Sequence, residues 1–237
     1  MREMKLNPSS AAWAVGGNVI SGSDKGCLRN LVFSAYVDKY EEIDPKYALM
    51  GAEGEDLYEQ YLREEQPWPY HKEFVLRDEF FGAKRSGRVD FLTHHDGYRV
   101  VHECKSSQSY FVYKEVFEAG TPKIDHLAQL VFYLIMLRET RGRLVYRFFP
   151  KKGPKELKSF KIQVCSEGGI WVDGTRHQFS VANQLEHQLM AAKTITELGV
   201  VVKAGSSACK YCKVKQLCSD YDSVGGTIKH FLETLPW

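Results

Sequence analysis

Gly87-Arg88-Val89-Asp90-Phe91-Leu92-Thr93-His94-His95-Asp96-Gly97-Tyr98-Arg99-Val100-Val101-His102-Glu103-Cys104-Lys105 is the stretch on which the fold turns. Asp96-Gly97 tolerates the positive φ values of a two-residue hairpin loop, and β-prone residues flank it on both sides. The stretch is therefore predicted to be a β-hairpin in which His95 faces Tyr98. Stepping back along both strands places Asp90 across from Glu103, and directly opposed residues project from one face. Side chains alternate along a strand, so Lys105 shares that face while Cys104 and Val89 turn to the other.

Two carboxylates at cross-strand distance repel one another unless something compensates. A divalent cation would remove the conflict. Oxygen ligands suit Mg²⁺ or Mn²⁺, and magnesium usually takes only one or two protein carboxylates. Lys105 would then orient or activate an attacking water. The alternative is an exposed hairpin whose charged residues face solvent, with Lys105 in an ordinary ion pair. Val89, Phe91-Leu92 and Val100-Val101 predict strands that are at least partly buried, and a charge cluster on a buried sheet points towards function.

The 237 residues accommodate one large domain or a domain with an appended module, and 43% hydrophobic content is ample for a core. Basic and acidic residues number 32 and 30, so a surface for a polyanion must be a local patch. The apolar run Ala11 to Ile20 is interrupted by glycine and too short to span a bilayer, so no membrane partner and a cytoplasmic protein are expected. Six cysteines in a reducing compartment are expected to be free or metal-bound.

Residues 20–40 predict a capped helix with Cys27 near its start, where by itself it reads as a small buried residue. From Pro45 to Arg63 the apolar spacing predicts an amphipathic helix, or parts of two helices around Gly51 and Gly54, whose acids form a largely solvated face. His71 to Arg77 predicts a strand leading into the hairpin. The run Tyr110-Phe111-Val112-Tyr113 is read first as core packing, with stacking on nucleobases as the lesser reading. A long apolar helix is predicted from Pro122 to about Arg141-Gly142. Gln129 and Tyr133 share one of its faces and either bond structurally or meet the hairpin and substrate. Arg143–Phe149 and Lys158–Val164 predict strands, and Gln178–Leu198 a helix. Lys151, Lys152, Lys155, Lys158 and Lys161 form a basic patch that either follows a phosphate backbone or is a solvated loop.

Near the C-terminus Cys209, Cys212 and Cys218 stand in a C-x2-C-x5-C arrangement. The local spacing permits tetrahedral zinc or an iron-sulfur cluster. A fourth ligand must come from elsewhere, and Cys27, Cys104, Cys165, His187 and His230 are the candidates.

Taken together, these motifs resemble the RecB-like nucleases of the PD-(D/E)XK superfamily, in particular the CRISPR-associated iron-sulfur exonucleases and their phage and helicase-nuclease relatives. Gly87-x-x-Asp90 followed by Glu103-Cys104-Lys105 matches the D…ExK core, and Gln129-x-x-x-Tyr133 the Q-x-x-x-Y motif of the RecB branch. The resemblance covers nearly the whole chain. It implies an α/β fold with a restriction-endonuclease-like mixed central sheet flanked by helices. One nuclease domain would span 1–237, with its core at 40–200 and an iron-sulfur region at 20–40 plus 200–237. By position, Cys27 would join Cys209, Cys212 and Cys218 around a 4Fe-4S cluster. Where many members carry a metal-binding histidine four residues after a glycine, this chain has Gly51-Ala52-Glu53-Gly54-Glu55, so Glu55 would take that ligand position.

The implied activity is metal-dependent hydrolysis of DNA phosphodiester bonds, on single strands or strand ends. Glu55, Asp90, Glu103 and the Cys104 carbonyl would hold Mg²⁺ or Mn²⁺, Lys105 would position water, and Gln129 and Tyr133 would place substrate and lysine. DNA is the implied partner, with an integrase, helicase or recombination protein as a further one. The alternative is a catalytically weak or inactive, cluster-stabilised DNA-binding subunit of a CRISPR adaptation, repair or phage recombination complex.

Overall fold

A computed structural model of the chain describes residues 5–6, 27, 29, 31–33, 45–65, 68–200 and 214–235. In chain order the elements are β1 (Lys5–Leu6), α1 (Pro45–Glu65), β2 (Tyr70–Phe80), β3 (Ala83–His95), β4 (Tyr98–Ser107) and α2 (Tyr110–Tyr113), which runs into a π turn at Lys114–Glu118. Then follow α3 (Ile124–Leu137), β5 (Arg141–Phe148), β6 (Glu156–Val164), β7 (Gly169–Val172), β8 (Thr175–Ser180), α4 (Val181–Glu197), α5 (Lys215–Val224) and α6 (Ile228–Thr234). The chain divides into two compact units, one of Met1–Glu41, Arg77–Ser86 and Asn183–Trp237, the other of Glu42–Leu76 and Gly87–Ala182.

The second unit holds the hairpin. β3 and β4 pair antiparallel from Phe91↔His102 to His95↔Tyr98, the register expected from the turn. Of the two loop residues only Gly97 takes a positive φ, 80°, so the turn follows a type II pattern. β4 runs parallel to β5, with Glu103↔Leu144 and Lys105↔Tyr146. A parallel pair needs a crossover, and α2, the π turn and α3 supply it. β6, β7 and β8 extend the sheet antiparallel, and β2 pairs with β3 on the other side. The sheet is mixed and helices flank it.

Alternation along β4 sets what each face meets. Cys104 turns to the face covered by α1, where Tyr58 and Leu62 pack with Phe91 and Val145. Gly54 allows the approach: a Cβ there would stand 2.0 Å from Ser106 Oγ. α3 covers the opposite face, with Leu130 beneath Gly142 and His126 Nδ1 3.0 Å from the Tyr146 hydroxyl.

Several boundaries differ from the sequence expectations. α1 runs unbroken through Gly51 and Gly54, because Met50, Gly54, Tyr58 and Leu62 form one continuous buried stripe. α3 starts at Ile124, two residues after Pro122, because Lys123 is extended at ψ 135°; it stops at Arg138, left-handed at φ 55°, leaving Arg141-Gly142 to open β5. Residues 178–180 end β8 instead of starting a helix. The β7–β8 hairpin turns on Asp173-Gly174, with φ of 49° and 84° at the two residues, a second Asp-Gly signal that the reading passed over.

In the first unit, β1 pairs parallel with Lys84-Arg85 of β3. Leu31–Phe33 are helical, and most of the helix expected over 20–40 lies outside the described residues. Phe33 meets Tyr221 and Phe231 edge-on at ring distances of 5.9 and 5.8 Å. No described helix is long and apolar enough to cross a membrane.

Candidate active site

β4 presents Glu103 and Lys105 on the α3 face because the two are separated by one residue in a strand. Lys105 Nζ donates to Glu103 Oε1 at 2.6 Å and to Gln129 Oε1 at 2.9 Å. From α3, Gln129 Nε2 donates to the Tyr133 hydroxyl at 3.4 Å, which donates to the Arg88 carbonyl at 2.8 Å. Asp90 closes the arrangement from β3, its Oδ2 accepting from the Cys104 amide at 2.7 Å. The structure thus joins Glu103, Lys105, Gln129 and Tyr133 in one bonded network, with Asp90 beside it on the Cys104 amide.

Burial dominates the charges here. It pushes the Glu103 carboxyl up to about 7 against the pull of Lys105, and the charge of Asp90 adds to the rise. Asp90 is raised by burial and opposed by the Cys104 amide. Glu55, half-buried on α1, is raised by burial and next by the charge of Asp90. Burial opposes the charge on Lys105, yet Glu103 and Asp90 outweigh it, and its pKa is raised. The ammonium is therefore retained across the physiological range.

Glu103 Oε2 is buried with no hydrogen-bond partner. An orphaned carboxylate oxygen is costly in a folded interior, and with Asp90 and Glu55 acting on the same field it fits a hard divalent cation. Among the described residues no three His, Cys, Asp or Glu side chains stand grouped as a ready ligand set. Magnesium asks for only one or two protein carboxylates, and Asp90 and Glu103, whose charges act on one another, are the two that would hold it.

Other residues join the site that the sequence reading did not single out. Asp125 contributes to the raised pKa of Lys105 and lies 3.9 Å from Lys123 Nζ. It precedes Gln129 by one helical turn, so the spacing 125, 129, 133 was its signal. Arg88 is exposed, paired with Glu73 at 2.9 Å, and its charge favours ionised Asp90 and Glu55. On the opposite face, buried His102 bonds Tyr58 at 2.8 Å and Thr93 at 2.9 Å, and burial holds its pKa down to about 3. It is a neutral structural pin between α1 and the hairpin.

Of the four cysteines expected at a cluster, Cys27 and Cys218 are both buried in the first unit. Arg29 donates to Cys218 Sγ at 3.3 Å and to Asp222, and its guanidinium lies 4.8 Å from the Tyr221 ring centre. Cys209 and Cys212 lie outside the described residues. Cys104 and Cys165 belong to the second unit.

A search of curated proteins finds no match to the chain. Among solved structures, the chain is similar to a phage-related exonuclease from Haemophilus somnus 129PT, with TM-score 0.53 and 13% identity over 82% of this chain and 94% of that one. It is also similar to an alkaline exonuclease from Laribacter hongkongensis, with TM-score 0.53 and 14% identity over 93% and 95% of the two chains. The same enzyme in complex with dAMP gives TM-score 0.54 and 15% identity, over 93% of this chain and 95% of that chain. At these identities the likeness concerns the fold. The model of the PD-(D/E)XK nuclease superfamily matches residues 28–219, a span that contains every member of the bonded network. The chain belongs to the PD-(D/E)XK nuclease superfamily.

Proposed function

We propose that the chain is a metal-dependent DNA exonuclease that hydrolyses phosphodiester bonds at strand ends, with single-stranded DNA as its preferred substrate. One observation carries the reading: Lys105 is held between Glu103 and Gln129 while the other Glu103 oxygen is buried and unpartnered. The similar alkaline exonuclease is known in complex with dAMP, a deoxynucleotide, which supports DNA as the substrate class.

Asp90 and Glu103, with Glu55 and the Cys104 carbonyl, would hold Mg²⁺ or Mn²⁺. The cation supplies Lewis-acid stabilisation of the charge that builds on the phosphoryl oxygens. Lys105, kept protonated and fixed at two acceptors, attracts the scissile phosphate and orients the attacking water. Gln129 fixes the lysine, and Tyr133 anchors Gln129 to the hairpin backbone at Arg88. Preorganised donors of this kind need no rearrangement at the moment of reaction.

A 4Fe-4S cluster on Cys27, Cys209, Cys212 and Cys218 completes the reading. It is supported by the burial of Cys27 and Cys218 in one unit and by the cationic Arg29 beside Cys218, which suits a thiolate-rich site. Its role is structural. The test uses end-labelled DNA, single and double stranded, with Mg²⁺ and with Mn²⁺. The parent degrades single strands from an end and Asp90→Asn does not; equal degradation by both would sink the assignment. Iron and sulfide content of Cys27→Ala, prepared without oxygen, tests the cluster.

A further inference from the structure

We propose that Tyr110 and Phe111 form a base-stacking platform on which the single strand lies as it enters the Lys105 site; this rests on the DNA-nuclease reading and deepens it by naming where the bases go. The segment after β4 divides its aromatic residues by direction. Tyr113 stacks on Phe117 at 5.3 Å and meets Phe148 at 4.7 Å, and Val116 is fully buried, so this side fastens the segment to the end of β5. Tyr110 and Phe111 turn outward, 59% and 84% exposed. Leaving two adjacent large rings in water forgoes the burial that normally stabilises them.

Their surroundings carry positive charge. Lys114 Nζ stands 5.0 Å from the centre of the Tyr110 ring. β4 and β5 run parallel and Phe149 N donates to Ser107 O at 2.9 Å, so the chain leaving β5 emerges at the same end of the sheet. That chain carries Lys151 and Lys152, both exposed. The nearby acids are Glu115, drawn towards Lys123 at 4.0 Å, Glu118, and Glu156, which accepts from the Tyr113 hydroxyl at 3.3 Å. Tyr110 follows Lys105 by five residues, a span of at most about 18 Å. Exposed rings for bases and ammonium groups for phosphates are what sequence-tolerant single-strand binding requires. Along a double helix the bases are already stacked on one another, so only the terminal pair offers these rings a free base face.

The test measures fluorescence anisotropy of labelled oligothymidylate without divalent metal. Parent, Tyr110→Ala, Phe111→Ala, the double variant and Phe111→Trp are each titrated with a normal strand and with one whose bases are replaced by abasic linkers. Each alanine variant is expected to weaken binding of the normal strand about 5- to 100-fold. Phe111→Trp is expected to retain binding of the normal strand, and none of the variants to alter affinity for the abasic strand. Equal binding of both strands by the parent overturns the platform, and so does an equal loss on the abasic strand, which would mark a charge or folding effect. The nuclease reading fails separately: a parent that binds bases through these rings yet cleaves no DNA removes the activity and leaves the platform standing. Melting curves confirm that the exposed-site variants fold.

Discussion

Lys105 is bonded at once to Glu103, its neighbour two residues away on β4, and to Gln129, which arrives from α3 twenty-four residues later. The lysine is thereby fixed at the point where the sheet and its crossover helix meet. Lys105→Ala is expected to reduce DNA cleavage by about 10² to 10⁴-fold, the range for a positioned catalytic group. It also removes the charge that draws Glu103 towards ionisation, so near neutral pH the carboxyl takes up a proton and denaturant unfolding should show only the loss of the charged hydrogen bonds, about 1–3 kcal/mol.

The Glu103 carboxyl is raised from 4.5 to about 7 in the folded state. A raised acid binds its proton more tightly when folded, so its contribution to stability is complete below pH 4.5 and is lost as pH rises through about 7. Without metal, parent stability relative to Glu103→Gln should therefore fall between pH 5 and pH 8, within about this window, as read by urea unfolding. A difference that does not change with pH would contradict the burial argument.

His102 titrates in the opposite sense, its pKa lowered from 6.5 to about 3 by burial. The unfolded chain takes up a proton first, so stability is present above pH 6.5 and is lost as pH falls towards 3. His102→Gln should flatten that acid limb. Tyr58→Phe, which strips the partner from Nδ1, should cost about 1–3 kcal/mol at pH 7.

Tyr133 reaches no reacting group in the bonded network; it holds Gln129 to the Arg88 carbonyl. Tyr133→Phe should lower kcat about tenfold or more through a misplaced lysine while KM changes little, given how steeply rates depend on position. A change confined to KM would instead assign the hydroxyl to substrate binding.

Gly51 and Gly54 share α1 but differ in surroundings: a Cβ at Gly51 meets nothing within 4 Å, whereas at Gly54 it meets Ser106 Oγ at 2.0 Å. Gly51→Ala should stabilise the protein by up to about 1 kcal/mol through helix propensity. Gly54→Val should cost about 1–3 kcal/mol by overpacking and should weaken activity by shifting Glu55 away from the sheet. Thermal melts and cleavage rates on the two variants separate these outcomes.

The hairpin register was legible because Asp96-Gly97 and alternating strands are local signals, and the same kind of signal at Asp173-Gly174 went unread. The shared face of Gln129 and Tyr133 was legible from helical spacing, and Asp125 extends it by one turn. Tyr110 and Phe111 were expected inside and lie outside, since an aromatic run says nothing about which of its residues meet a sheet. Residues 209 and 212 of the cysteine set lie outside the described residues, so that reading stays with the sequence.

The Asp96-Gly97 turn register and strand alternation together led the sequence to place Asp90, Glu103 and Lys105 on one face, and helical spacing placed Gln129 and Tyr133 on another, because a helix turn spans nearly four residues. Which of these faces meet was decided only in three dimensions. The parallel β4–β5 pair sends the chain over the sheet through α3, and that crossover brings Gln129 onto Lys105. The exclusion of water that raises Glu103 and leaves one of its oxygens unpartnered comes from residues distant in sequence, and no local pattern encodes it.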